Sequence, residues 1–378
     1  MKWILLFIGS VIVFSSCIDK NKILSGNEFP FHDESGAIYS KVLFPTKLEQ
    51  LIAPANRGKG LFLQLGSYNG INSSIAIRFP LDTTHSLFVD SVWLYLAINH
   101  VYKTAPGEIS VEVYEILNEW RDEDENPSIQ IDSKVITEAK FSSEDTLYDI
   151  IVLPKELGQQ WIDKPLEVYG LMLKFTEGNI MKEYYSTEGQ DVLLSDDNLM
   201  TSLRVIARAS GNTITPKALP MDDISLITGN ENAPSDRITI DDWRLFRTFI
   251  QFSLDSIPSN ASINKALLLM NMDKDQSIIK DNNILFFGHL VKESYSGGGE
   301  PVFAADSSIG LYYNYQMAMD MTSPSQFLLL KLIPNYGFLL KSSGEGNDIS
   351  RFVFYSASAD TALAPKLILY YTLPVRRY

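Results

Sequence analysis

Apolar residues along this chain recur in short alternating runs, not at helical spacing. Leu61–Leu65, Ser74–Phe79, Ser91–Ala97 and Ile109–Ile116 are strand-length segments bounded by Gly, Asn, Asp or Pro. In the last of them Ile109, Val111 and Val113 share one face while Glu112 and Tyr114 share the other. That alternation predicts an antiparallel sheet with one wet face. Ile150–Leu153, Leu166–Phe175 and Leu203–Ala207 extend the series, and Lys155–Trp161 is the best local helix, of one or two turns. Many short strands with few helices predict an all-β fold of jelly-roll-like β-sandwich type.

The pattern is written twice. Phe79-Pro-Leu-Asp82 matches Phe252-Ser-Leu-Asp255 at an offset of 173 (252 − 79). Tyr169-Gly-Leu-Met-Leu-Lys174 matches Tyr336-Gly-Phe-Leu-Leu-Lys341 at an offset of 167 (336 − 169). Two matches in one order at nearly one spacing indicate a duplicated domain, since the period far exceeds the roughly 20–50 residues of a solenoid unit. In the second copy Arg237–Ile240, Leu245–Phe252, Asn283–His289, Phe327–Leu332, Tyr336–Lys341, Phe352–Ser356 and Pro365–Thr372 are the expected strands, with a loop at Gly297–Gly299. Gly211–Pro220 is polar and carries two prolines, so it reads as a linker. Two tandem antiparallel β-sandwiches are therefore expected, over residues 30–210 and 211–378.

Ile77-Arg-Phe-Pro-Leu-Asp82, Asp90-Ser-Val-Trp-Leu-Tyr-Leu96 and Val111-Glu-Val-Tyr-Glu-Ile-Leu-Asn-Glu-Trp120 resemble the DNRLRE-type domain. In that family a Phe-x-Leu-Asp strand precedes a second strand and then a Val-x-Val-Tyr strand that leads to a Trp. Asp255–Ile263 and Pro365–Thr372 carry the likeness into the second copy, where Asn283–His289 lacks the Val-x-Val-Tyr wording. The resemblance implies a secreted β-sandwich with relatives among carbohydrate-binding modules. Its motifs are core patterns and carry over no binding residue.

At the N-terminus Met1-Lys2 precedes an apolar run, Trp3–Phe14, that is shorter than the roughly 20 residues of a spanning helix. It predicts a signal peptide over residues 1–16. Ser15-Ser16-Cys17 resembles a bacterial lipobox, which implies acylation of Cys17, a tether over residues 17–29 and an outer-membrane lipoprotein. Either the periplasmic or the cell-surface face is open to it. The alternative is a conventional secretory peptide in which Cys17 is incidental. Cys17 is the chain's 1 cysteine, so disulfides and Cys-based zinc sites are excluded from the body. A formal charge of −14 argues against nucleic acid and against polybasic docking on a membrane.

Catalytic signatures are scarce: there is no His-x-x-x-His pair, no Gly-x-Ser-x-Gly elbow and no phosphate-binding Gly-rich loop. Glu119 beside Trp120 and Asp241-Asp242 beside Trp243 are the carboxylates nearest to a glycosidase pattern, and they read as solvated charge. Sugar binding needs aromatic faces that stack on pyranose rings. The candidates are Trp120, Trp243, Tyr184, Tyr185, Tyr312 and Tyr313 with Tyr315, whereas Trp93 reads as core. No cofactor is expected. A structural calcium is the one metal for which short acidic turns offer oxygen ligands, at Asp196-Asp197-Asn198, Asp222-Asp223 and Asp273-Lys274-Asp275, and turn chemistry explains each equally. The expected function is a lipid-anchored, non-enzymatic envelope protein that binds or adheres to extracellular polysaccharide. A structural partner for another envelope protein is the alternative, and a polysaccharide-cleaving enzyme is the third reading.

Overall fold

The computed structural model describes residues 37–53, 60–80, 87–124, 127–144, 146–193, 200–209, 212–229, 236–280, 284–295 and 301–374. The expected signal peptide, the tether, Cys17 and the Asp196–Asn198 turn lie outside these residues. Among those described, no helix is long and apolar enough to cross a membrane.

The chain is all-β and forms two curled antiparallel sheets, each closed around its own core. A leading pair of strands comes first, β1 (Ile38–Leu43) and β2 (Lys47–Ile52). The first repeat then runs through β3 (Phe62–Tyr68), β4 (Ile71–Arg78), β5 (Phe88–Tyr102), β6 (Glu108–Glu115), β7 (Thr137–Ser142) and β8 (Tyr148–Leu153). Helix α1 (Lys155–Asp163) follows, then β9 (Leu171–Gly178), β10 (Met181–Tyr185), α2 (Thr187–Leu193) and β11 (Ser202–Ala209). A second leading set comprises β12 (Asn212–Ile214), β13 (Lys217–Ala218) and β14 (Asp222–Gly229). The second repeat comprises β15 (Arg237–Asp241), β16 (Phe246–Gln251), β17 (Ser262–Asn271), β18 (Leu285–Val291), β19 (Phe303–Tyr313) and β20 (Gln316–Asp320). It ends with α3 (Thr322–Leu329), β21 (Phe338–Ser342), β22 (Arg351–Tyr355) and β23 (Lys366–Thr372).

The two repeats pair their strands alike. β5 lies against β8 and β11 as β17 lies against β20 and β23, and β6 lies between β7 and β9 as β18 lies between β19 and β21. Period-2 alternation builds both cores. Val92, Leu94 and Leu96 point inward in the first copy, and Ala266, Leu268 and Met270 do so in the second. Phe79 and Phe252, the aromatic residues of the repeated motif, are both buried in these cores.

The repeated Tyr-Gly has a backbone cause. Gly170 and Gly337 have φ of 104° and 88°, and a Cβ there would stand 2.3 Å from the Ile77 carbonyl oxygen and 2.8 Å from that of Ile250. Only glycine lets the chain turn into β9 and β21 while passing so close to β4 and β16.

The leading strands depart from the expected boundaries. β1 pairs with β23 and β2 with β16, so residues 38–52 complete the second sandwich. Conversely β12 and β13 pair with β11 and β14 pairs with β4, so residues 212–229 complete the first. The expected linker at Gly211–Pro220 thus carries β12 and β13, and a boundary at residue 210 or 211 cuts through the first sandwich. The cause is long-range hydrogen bonding along sheet edges, which local polarity does not reveal. Phe327–Leu332, expected as strand, instead begins inside α3, where Leu328 and Leu329 turn into the second core. Lys155–Trp161 is helical as expected.

The two sandwiches meet at a small junction. Ile71, Tyr102 and Met181 of the first pack against Trp243 and Ile349 of the second. Beside them Glu183 accepts from Lys280 Nζ at 2.8 and 3.0 Å, from Tyr102 Oη at 2.6 Å and from Asn99 Nδ2 at 2.5 Å. The Leu61 amide donates to Asn347 Oδ1 at 2.7 Å.

Candidate ligand-binding face

The outward side of β5 carries Trp93 and Tyr95, both half-buried and on the face opposite Val92, Leu94 and Leu96. Trp93, expected in the core, is therefore on the surface side of its strand. A run as apolar as Val92-Trp-Leu-Tyr-Leu96 leaves its face undecided until its neighbours are known. Trp93 stands opposite Arg204 on one side and Val152 on the other, and Tyr95 stands between Ser202 and Ile150. Ile150 and Val152 are 49% and 63% exposed, so this layer is open to solvent. The Arg204 guanidinium lies 4.0 Å from the Tyr95 ring centroid, and Tyr148 meets Tyr95 edge-on at 5.7 Å. Among the described residues Arg204 has no carboxylate partner. Lys217 adds a second cation opposite it across the sheet.

These groups supply two flat rings and a planar cation on one pleated surface. Aromatic rings stack on the C–H faces of sugars, and a guanidinium offers N–H donors to hydroxyls or carboxylates. The corresponding face of the second copy is different. Leu267 and Leu269 of β17 take the places of Trp93 and Tyr95, and their neighbours are Ala318, Asp320, Lys366 and Ile368. Further along, Ile309, Leu311 and Tyr313 of β19 are 54%, 43% and 53% exposed, forming a largely apolar strip.

The aromatic residues singled out from sequence are scattered, not gathered. Trp120, in the loop after β6, is buried against Ile116, Met172 and Ile224, and its indole N–H donates to the Tyr169 carbonyl at 2.8 Å. Trp243 is buried in the junction, with the Arg244 guanidinium 4.2 Å from its ring. Tyr184 is fully buried in the first core, where its hydroxyl donates to Asp149 Oδ2 at 2.7 Å. These three offer no ring face to a ligand, because each side chain fills a core. Tyr185 is half-buried against Phe62 at 5.7 Å. Tyr312 is half-buried beside Tyr315 at 6.2 Å, and burial raises its phenol pKa. Tyr313 and Tyr315 are exposed at the turn that joins β19 to β20.

The carboxylates are also accounted for. Asp241 and Asp242 are buried, not solvated; burial pushes Asp241 up to about 6 and raises Asp242 well above its usual range. Glu119 lies 3.7 Å from Arg121 in solvent. A cleft of about 530 Å³ on the second sandwich contains Asp255, which accepts from Ser253 Oγ at 2.7 Å. A wider groove of about 940 Å³ contains Asp320, which is held by Thr322 and Lys265. Each of these two hollows is lined by a single carboxylate.

Asp222 pairs with Arg78, Asp223 accepts from the Thr187 amide and hydroxyl, and Asp273 accepts from Arg237 and Gln276. Among the described residues no group of three or more His, Cys, Asp or Glu side chains is placed to hold a metal ion. Comparison with protein-family models finds no match to this chain, and comparison with curated proteins finds none either.

Proposed function

We propose that this is a non-catalytic polysaccharide-binding protein of the bacterial cell envelope, acting through the Trp93 face of the first sandwich. The observation that carries the reading is the placement of Trp93 and Tyr95 on an open sheet surface beside Arg204, a cation without a carboxylate partner among the described residues. In a chain of net charge −14, an arginine with no carboxylate partner among the described residues offers its N–H donors to an external acceptor. The resemblance to DNRLRE-type domains supports a secreted module. The lipobox-like Ser15-Ser16-Cys17 supports attachment to the outer membrane through Cys17.

A second reading rests on a different surface. The strip of Ile309, Leu311 and Tyr313 is apolar, exposed and without aromatic stacking partners on its own strand, which favours a protein partner in the envelope. The two readings separate in one experiment. The chain beginning after Cys17 is tested against an array of polysaccharides, alongside Trp93→Ala and Arg204→Ala variants. Binding that both substitutions weaken supports the glycan face. A silent array, with crosslinking in the native membrane that Leu311→Asp abolishes, replaces it with the protein-partner reading.

A further inference from the structure

The exchange of leading strands between the two repeats has a property that bears on how copies of this chain meet. Each leading segment follows the same plan: an outer strand on β11 or β23, then an inner strand on β4 or β16. The registers are equivalent. Lys47 stands opposite Gln251 and Asp222 opposite Arg78, and Gln251 and Arg78 occupy the same place in the repeat, one residue before Phe252 and Phe79. Each repeat therefore completes the other sandwich and not its own.

The two leading segments are held unequally. β14 is buried over its first four residues, Asp222–Ser225, and is anchored by the Arg78–Asp222 ion pair. In β1 only Leu43 is buried, and in β2 Leu48 and Leu51 are partly buried. What retains β1 and β2 is thus mainly backbone hydrogen bonding along two sheet edges. Such an element opens at lower cost than the core. Once open, it leaves on the second sandwich two unpaired edges whose register matches this segment from any copy.

We propose that β1–β2 is a strand donor between chains: the leading pair of one copy completes the second sandwich of another, giving a reciprocal strand-exchanged dimer. The partner is a second copy because the acceptor edges already fit this segment residue by residue. No new surface is needed; the same hydrogen bonds form between chains in place of within one. In dilute solution the short connection to β3 favours closure within the chain, with an effective concentration on the order of millimolar. Crowding of chains shifts the balance toward exchange.

Disulfide trapping tests this in the full chain carrying Cys17→Ser, so that introduced thiols are the sole ones. Ser40 and Tyr370 are directly opposed between β1 and β23. One population carries Ser40→Cys and another Tyr370→Cys; they are mixed, briefly unfolded, refolded together and oxidised. The expected product is a covalent dimer of one chain of each kind. While it is a minor species, its fraction rises about tenfold for a tenfold rise in concentration. Two results overturn the proposal. One is no dimer at any concentration while the doubly substituted chain closes its own disulfide as a monomer. The other is equal trapping when exposed Glu119→Cys replaces Tyr370→Cys. If the doubly substituted chain does not close, Lys47→Cys with Gln251→Cys, opposed between β2 and β16, decides by the same criteria.

Discussion

Lys280 of the second repeat donates to both carboxylate oxygens of Glu183 of the first, at 2.8 and 3.0 Å. Glu183 is fully buried and Lys280 is only 18% exposed, so neither charge is well solvated once the sandwiches are together. Removing the cation alone strands a carboxylate. Lys280→Ala is expected to cost about 3–5 kcal/mol, far above the roughly 1 kcal/mol of an exposed pair. Adding Glu183→Gln recovers most of that loss, because the remaining side-chain oxygen still accepts from Asn99 and Tyr102 also donates to Asp348, at 3.1 Å. Urea unfolding of the parent chain and the two variants measures both effects, and a loss no larger than that of a surface pair would show that water reaches the junction.

The first core contains a polar network that the second lacks. Lys182 donates to Asp149 at 2.7 and 2.9 Å and Tyr184 donates to the same carboxylate at 2.7 Å, all within apolar surroundings. The equivalent positions of the second repeat hold Phe352, Phe354 and Met317, all buried in its core. Lys182→Met alone leaves Asp149 buried without its cation, with only the Tyr184 hydroxyl donating to it, and is expected to destabilise by about 3–5 kcal/mol. The triple change Lys182→Phe, Tyr184→Phe and Asp149→Met copies the second repeat and is expected to be near neutral. Thermal melts of the single and triple variants separate a structural network from one kept for another purpose.

Trp120 and Trp93 should respond oppositely. Trp120→Ala empties a packed site and is expected to cost about 3–5 kcal/mol while leaving glycan affinity per folded molecule unchanged. Trp93→Ala is expected to weaken glycan binding at least tenfold while changing stability by about 1 kcal/mol or less. Unfolding curves and binding isotherms on the same preparations check the pair.

Asp223 makes stability depend on pH. Burial, reinforced by Glu188 and Asp122, pushes its carboxyl up to about 7, although the Thr187 amide and hydroxyl both donate to it. A folded pKa above the unfolded one means the folded state holds the proton more tightly. The stabilisation is complete below about pH 4 and is lost as pH rises to about 7. At about 1.4 kcal/mol per unit, roughly 4 kcal/mol is the upper bound. Asp223→Asn retains an acceptor for Thr187 and removes the titration. It is expected to raise stability at pH 8 and leave it unchanged at pH 4, measured by urea midpoints; equal changes at both would place the titration elsewhere.

Alternation and repetition made the central strands and the duplication legible. Ile109, Val111 and Val113 face inward as their spacing implies, and the paired Tyr-Gly sites mark equivalent turns. What stayed hidden depends on distant partners. β1 is mostly exposed, so only its hydrogen bonds to β23, more than three hundred residues away, make it a strand. Trp93 and Trp120 exchanged roles for a related reason. Both end or lie within apolar runs, and Met172 and Ile224, which help to bury Trp120, come from distant parts of the chain. Leu328 and Leu329 belong to a helix although their run is as apolar as any strand here.

The crossing of β1 and β2 also decides where tension goes. A pull between residue 37 and the Trp93 face passes along β1 and β2 before reaching β3, so it falls first on the hydrogen bonds of the second sandwich. Both sandwiches bear the same tension, but the second yields first, because β1 and β2 are held mainly by backbone hydrogen bonds. The second sandwich thereby works as an extensible link in series, lengthening the line under load while the grip of the first is spared.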